Sequence, residues 1–356
     1  MYKILFIIIS LTISFADIYI SGDARLRPRL DVKENTSSYD KQSDLYYLYR
    51  ARLNIKADIG EGYFFSSKLG TNEVSAISKM AYDGDHTSAP GILNSSRPQV
   101  DFLQLYFGYQ KENSGFWGGA FPLKSNPALD IHFYPTKIVD IPFALFNNGA
   151  VNGFGGYRKL SNYKLNWFLS VDNQKTNSVT KDDVKTDLNE NYTFGLDTKI
   201  NLGSIGFKPQ LIATFGDSTD TQPLTYGGRL DLMDLGGFKS SFSYFISTNS
   251  QNSEYDANHL RLSVVKKIKI GDLKFFYDIA TYKADELIDL STNEEIGKMN
   301  FNYLWISYAY KLYDSDLGSV KLMPTIRIQN GGILDSDYYS DYSRSKFELT
   351  TEIKFK

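Results

Sequence analysis

The stretch from Asp17 to Ile59 alternates apolar and polar side chains with a period of two over two long runs. In the first run Ile18, Ile20, Gly22, Ala24, Leu26, Pro28, Leu30 and Val32 share one face, and Tyr19, Ser21, Asp23, Arg25, Arg27, Arg29 and Asp31 share the other. In the second, Leu45, Tyr47, Tyr49, Ala51, Leu53, Ile55, Ala57 and Ile59 oppose Tyr46, Leu48, Arg50, Arg52, Asn54, Lys56 and Asp58. Successive side chains of a β-strand point to opposite faces, so a period of two predicts strands. The two runs form a hairpin with one apolar face and one face carrying Arg25, Arg27, Arg29, Arg50 and Arg52. Inside a packed sandwich five arginines would each need a buried partner. An apolar face against lipid and a charged face toward water accommodates them. The reading is an all-β fold, a transmembrane antiparallel β-barrel.

Composition narrows the alternatives. Among 356 residues there is no cysteine, which excludes a disulfide framework and a thiolate metal site. A net charge of -2 offers nothing to nucleic acid, and none is expected as a partner. Aromatic residues reach 15%, with 26 Tyr and 24 Phe, and these residues favour strands and membrane interfaces. Mean hydropathy is -0.32, and past the N-terminus no apolar run is long enough for a spanning helix. A barrel is compatible with that value because its lumen face is polar. Residues 1–16 form a signal peptide: Lys3 is the basic start, Ile4 to Ile13 the apolar core, and Ser14-Phe15-Ala16 the small-x-small cleavage site. Residues 17–356 form a single barrel domain.

Short and long connections alternate along it. Turns fall near Gly60-Glu61-Gly62, Glu112-Asn113-Ser114-Gly115, Ser161-Asn162, Leu202-Gly203-Ser204, Leu235-Gly236-Gly237, Ile270-Gly271-Asp272 and Tyr313-Asp314-Ser315-Asp316, all rich in turn-forming residues. Polar loops are expected at 33–43, 73–98, 124–148, 174–189, 217–223, 249–256, 284–298 and 330–343. This rhythm predicts short periplasmic turns, long extracellular loops and about sixteen strands. The segments 115–123, 149–160 and 273–283 do not alternate cleanly. Pro28, Pro209 and Pro324 fall inside strands; a closed barrel has no free edge for them, so bulges or a rim are expected. Aromatic groups near strand ends (Tyr46, Tyr47, Tyr49; Tyr63, Phe64, Phe65; Tyr106, Phe107, Tyr109; Tyr308, Tyr310, Tyr313) predict interfacial girdles.

The final run, Lys346 to Lys356, alternates Phe347, Leu349, Thr351, Ile353 and Phe355 with Lys346, Glu348, Thr350, Glu352 and Lys354. This C-terminus resembles that of Gram-negative outer-membrane porins, which end in an alternating strand with a terminal aromatic; here Lys356 follows Phe355. The start, Ala16-Asp17-Ile18-Tyr19-Ile20-Ser21-Gly22, also resembles the first strand of general porins after the signal peptide. The resemblance implies location in the bacterial outer membrane, contact with its lipid and lipopolysaccharide, delivery by the barrel-insertion machinery and a homotrimer, with loop 73–98 long enough to reach a neighbour. It also implies that segment 124–148 folds into the lumen as a constriction loop. Asp130 and Asp140 would then face Arg25, Arg27, Arg29, Arg50 and Arg52 across the eyelet, and fixed charges of opposite sign sort ions. The segment's apolar load and length fit a functional role. Equally, lumen arginines that pair with loop acids can serve only to hold the loop.

The function expected is passive diffusion of small hydrophilic solutes or ions, with no cofactor and no bound metal. Inward basic residues lean it toward anions. Arg158, Lys208, Arg229, Arg261 and Arg327 are also expected inward, as a solvated wall. Acidic loops near Tyr82-Asp83-Gly84-Asp85-His86 and Asp335 to Asp341 lack the EF-hand pattern. His86, His132 and His259 show no metal-ligand spacing, and phosphate-loop and nucleophile-elbow motifs are absent. The chain is therefore not expected to be an enzyme, although a Ser–His pair on a barrel wall would need no motif. The alternatives are a substrate-specific channel for a sugar or acidic solute, with Phe102, Tyr106 and Phe168 as an aromatic track, a plugged barrel with a structural or adhesive role, and a secreted soluble all-β protein.

Overall fold

The computed structural model describes residues 17–35, 40–71, 78–79, 100–123, 150–161, 163–173, 191–216, 223–249, 256–288, 295–335 and 338–356. The strands are β1 (Asp17–Asn35), β2 (Asp40–Gly60), β3 (Tyr63–Thr71), β4 (Ser78–Lys79), β5 (Val100–Gln110) and β6 (Ser114–Pro122). They continue with β7 (Ala150–Lys159), β8 (Lys164–Asn173), β9 (Asn191–Leu202), β10 (Ile205–Gly216), β11 (Pro223–Asp231) and β12 (Phe238–Asn249). The last are β13 (Asp256–Ile268), β14 (Gly271–Ile288), β15 (Glu295–Ser315), β16 (Gly318–Asp335) and β17 (Tyr338–Phe355). Every described pairing is antiparallel, and β17 returns to β1, so the sheet has no open edge. The two-residue β4 only adds to β2, through Leu48↔Lys79 and Tyr49↔Ser78, so sixteen strands make the closed wall.

The barrel is apolar outside and polar inside. Ile18, Ile20, Leu26 and Leu30 of β1, and Phe347, Leu349, Ile353 and Phe355 of β17, lie exposed on the outer surface. Asp23, Arg27, Arg29, Arg50, Glu348 and Glu352 are buried on the inner one. This arrangement suits a lipid surround and a wet lumen. At the turn end, Gly60, Glu61 and Gly62 have φ of 97°, 54° and 90°, a left-handed run in which glycine relieves the strain at two of three positions. Nearby, Lys159 Nζ donates to Glu112 Oε1 at 2.9 Å and holds that exposed carboxyl below its usual range. Described residues form the expected turns, shifted by a residue or two at Lys269-Ile270 and Asp316-Leu317, except at Ser161-Asn162, where Asn162 lies outside the described residues.

Several expected loops are shorter than the sequence implies. β1 and β2 pair as far as Asn35↔Asp40, β14 and β15 to Ile288↔Glu295, and β16 and β17 to Asp335↔Tyr338. Polar composition there reflects strands that run past the apolar belt. β2 and β15 have 21 residues, β6 has 9 and β8 has 10. About 9–11 residues suffice to cross a membrane, so the wall of β14–β17, β1 and β2 is far taller than needed. Most of 73–98 and all of 124–148 lie outside the described residues.

The prolines sit neither at register-shifting bulges nor at a rim. Pairing of β1 with β17 skips from Leu26↔Thr351 to Arg29↔Glu348 around Pro28. Pairing of β10 with β9 skips from Phe207↔Ile200 to Gln210↔Asp197 around Pro209, and that of β16 with β15 from Ser307↔Thr325 to Tyr310↔Leu322 around Pro324. Register is unchanged across each gap. A proline lacks one N–H, so the ladder opens on that side while the other side stays paired, as in Pro28↔Tyr47, Pro209↔Gly228 and Pro324↔Leu349.

Candidate functional site: a lumen with a charged wall and an aromatic wall

The five arginines of the opening hairpin do point inward, and each is ion-paired along a ladder of carboxylates on β1 and β17. Strand β17 closes against β1 in the register Asp23↔Lys354, Arg25↔Glu352, Arg29↔Glu348 and Asp31↔Lys346, so unlike charges lie directly opposite. Arg25 pairs with Glu352. Glu348, fully buried, takes Arg29 Nη2 at 2.6 Å, Arg327 Nη2 at 3.1 Å and Arg27 Nη1 at 3.7 Å. Arg27 Nε also donates to Thr350 Oγ1 at 2.7 Å. Asp23 receives Arg52 Nε at 2.7 Å and Arg50 Nε at 3.1 Å. Asp31 accepts a two-pronged contact from Arg344, at 2.8 and 2.6 Å, and the hydroxyl of Tyr46 at 3.1 Å; that hydroxyl in turn accepts from Arg29 at 3.2 Å.

Exposure separates the arginines. Arg27, Arg29 and Arg50 are buried, whereas the side chains of Arg25 and Arg52 keep 24% and 25% of their surface. The described counter-charges come from the wall itself, Asp23, Asp31, Glu348 and Glu352. Asp130 and Asp140, the expected partners, lie outside the described residues. Glu348 and Glu352 were visible in the sequence as the inward set of the last strand. Closure of that strand onto the first is the information that links them to the arginines.

Among the other inward basic residues the outcome is mixed. Arg327 is buried in the ladder, not in a solvated wall. Arg261 is also buried, gripping Asp278 through Nε and Nη2 at 2.5 and 2.6 Å, with His259 Nε2 3.4 Å from the same carboxylate. Lys208 and Arg229 share Asp231 at 3.0 and 2.7 Å and remain partly exposed, as a solvated wall requires. Arg158 faces outward instead of inward. The pairing Ser114↔Arg158 puts it on the side of Phe116↔Gly156 and Gly118↔Phe154, where Phe116 and Phe154 are exposed.

The opposite wall is aromatic. Phe64, Tyr106, Trp117, Phe121, Tyr157 and Phe168 face a cavity of about 490 Å³. Of these, Phe121 and Phe168 are buried in one cluster with Ile212, against which Tyr106 and Trp117 pack. Rings lie where neighbouring strands carry glycine. A Cβ on Gly155 would meet Trp117 Nε1 at 2.6 Å and Phe121 Cε2 at 2.9 Å, and one on Gly195 would overlap the Phe168 ring. Of the expected aromatic track, Tyr106 and Phe168 belong here, but Phe102 does not. Lys68 pairs with Gln104 and Leu69 with Phe102, so Leu103 is an extra residue that reverses the alternation; Phe102 is 62% exposed on the outer face. Among the expected girdle residues, Tyr46, Phe64 and Tyr106 turn inward, while Tyr47, Tyr63, Phe107, Tyr310 and Tyr313 lie exposed outside.

Known structures share this architecture. An anion-selective porin from Comamonas acidovorans superposes with a TM-score of 0.59 at 11% identity, covering 96% of this chain and 100% of that one. The outer-membrane channel DcaP of Acinetobacter baumannii gives 0.58 at 14% identity, covering 96% and 98%. The trimer form of OmpT, an outer membrane protein of Vibrio cholerae, gives 0.53 at 9% identity, covering 96% and 100%. No protein-family model matches the sequence, and no curated protein matches it significantly. The chain therefore has the fold of outer-membrane porins, a closed sixteen-stranded antiparallel barrel.

Proposed function

We propose that the chain is a passive diffusion channel of the bacterial outer membrane, exported by its signal peptide at 1–16, passing small hydrophilic solutes and ions with a preference for anions. The observation that carries the preference is the composition of the ladder. Among the described residues, nine cations (Arg25, Arg27, Arg29, Arg50, Arg52, Arg327, Arg344, Lys346 and Lys354) lie in ion-pair contact with four wall carboxylates (Asp23, Asp31, Glu348 and Glu352). A surplus of fixed positive charge along a wet, low-dielectric passage raises the local concentration of anions. Arg25 and Arg52, the least buried of the five, act on permeating ions, while Arg27, Arg29 and Arg50 hold the wall. Segment 124–148, with Asp130 and Asp140, folds inward as the constriction in this reading. The homotrimer belongs to it as well, supported by the trimer form of the Vibrio cholerae neighbour.

Purified protein should give stepwise conductance in planar bilayers, with a reversal potential of anion-preferring sign under a salt gradient. Arg25→Gln with Arg52→Gln should move that potential toward cations. An unchanged potential removes these arginines from selectivity, and a sealed bilayer removes the channel itself.

A further inference from the structure

The aromatic wall carries more than packing requires. Lumen surfaces of wet barrels are polar, yet here buried Phe121, Phe168 and Ile212 support the half-buried rings of Tyr106 and Trp117, edge-on to Phe121 at 6.5 and 6.2 Å between centroids. Glycine on the neighbouring strands lets these rings lie close against the backbone, so the platform is rigid before anything binds. The same cavity is edged by polar groups of every hydrogen-bonding kind. Lys56 and Lys164 only donate, Asp197 only accepts, and Asn166 and Gln110 do both. Asn166 Nδ2 lies 2.8 Å from Asp197 Oδ1, which orients the amide, and Lys164 Nζ sits 3.6 Å from the centre of the Tyr157 ring. A cavity of about 490 Å³ is within the usual range for a small ligand.

A simple inorganic anion would use the lysines and leave the rings idle. A planar aromatic acid would use rings and lysines but bring a second negative charge beside Asp197. A pyranose ring offers an apolar C–H face to aromatic surface and hydroxyls that donate and accept around its edge. We infer that the cavity between β2 and β9 is a subsite for a pyranose sugar, seated on Trp117 and Tyr106 and held at its rim by Asn166, Asp197 and Lys164. The inference rests on the lumen being water-filled, as in the channel reading above. It adds a ring-selective wall to the ion-selective one.

The test is equilibrium dialysis of radiolabelled maltose against the full chain folded in detergent, a measurement that needs no conductance. Sorbitol, which has hydroxyls but no ring face, and benzoate, which has a ring but no hydroxyls, are dialysed in parallel. Saturable maltose binding is expected, with sorbitol and benzoate bound far more weakly. Asn166→Ala and Trp117→Ala should each weaken maltose binding by about tenfold, as lost polar and stacking contacts imply. If Trp117→Ala does not fold, Asn166→Ala decides, since it removes only a rim group. Absence of saturable binding, equal binding of sorbitol, tighter binding of benzoate, or full retention in Asn166→Ala overturns the subsite. Bilayer recording of the same preparation separates the two readings: conductance without sugar binding sinks the subsite alone, and sugar binding without conductance sinks the channel alone.

Discussion

Glu348 is the side chain on which most of the charged wall converges. It is fully buried and lies within ion-pair distance of Arg27, Arg29 and Arg327, which are nearly as buried. Removing one partner from such a cluster leaves uncompensated charge in a poorly solvated place, at a cost of about 3–5 kcal/mol. Glu348→Gln should therefore lower the urea midpoint of the barrel folded in lipid vesicles much more than Glu112→Gln at an exposed turn. Comparable midpoints for the two would mean that water reaches the cluster freely. Gly195 tests the other wall. An added methyl would collide with the Phe168 ring, so Gly195→Ala should displace that ring and lower the unfolding midpoint, whereas Gly203→Ala has open space and bears only its positive-φ strain.

At the scale of elements, register at the closing seam is written in charge. A slip of one residue between β1 and β17 would turn every inward side chain outward. A slip of two keeps the faces but mismatches the signs. In one direction it sets Asp23 against Glu352 and Arg29 against Lys346; in the other it sets Arg25 against Lys354 and Asp31 against Glu348. The double replacement Arg25→Glu with Glu352→Arg should consequently fold to a heat-modifiable barrel more fully than Arg25→Glu alone. Equal yields would show that apolar packing alone sets the register. The three prolines make a second element-level case. Pro324→Ala should change the unfolding midpoint little, because the ladder is already open there. Ile326→Pro, two residues on, should be strongly destabilising, since it removes an N–H from a continuous ladder flanked by Ile306 and Phe347.

For the molecule as a whole, the sequence made the barrel legible because lipid and water impose opposite demands on alternate residues. Ile18 to Val32 and Phe347 to Phe355 satisfy those demands with few exceptions, and the turn residues fix the rhythm between them. What remained hidden depended on local departures from period two or on neighbours far apart in the chain. The extra residue Leu103 hid the outward turn of Phe102. The Gly-rich runs of β6 and β7 carried no alternation, because their inward glycines serve as seats for rings on adjacent strands. Strand length was underestimated at β1–β2 and β14–β17, where polar residues beyond the apolar belt read as loop. The partners of the arginines could have been found by setting the first and last strands antiparallel and matching signs. The tall wall offers a final whole-molecule prediction: protease added to intact vesicles should spare the continuous pairing at Asn35↔Asp40 and Asp335↔Tyr338. Rapid cleavage there would contradict strands of this length.

The seam between the first strand and the last has a bearing on manufacture. Until Arg344 through Glu352 have been made and brought round, Arg25, Arg29 and Asp31 have no opposite number on that flank. A copy lacking β17 would thus leave these charges unanswered along the edge of β1, and closure of β1 on any strand without matching signs would leave them so.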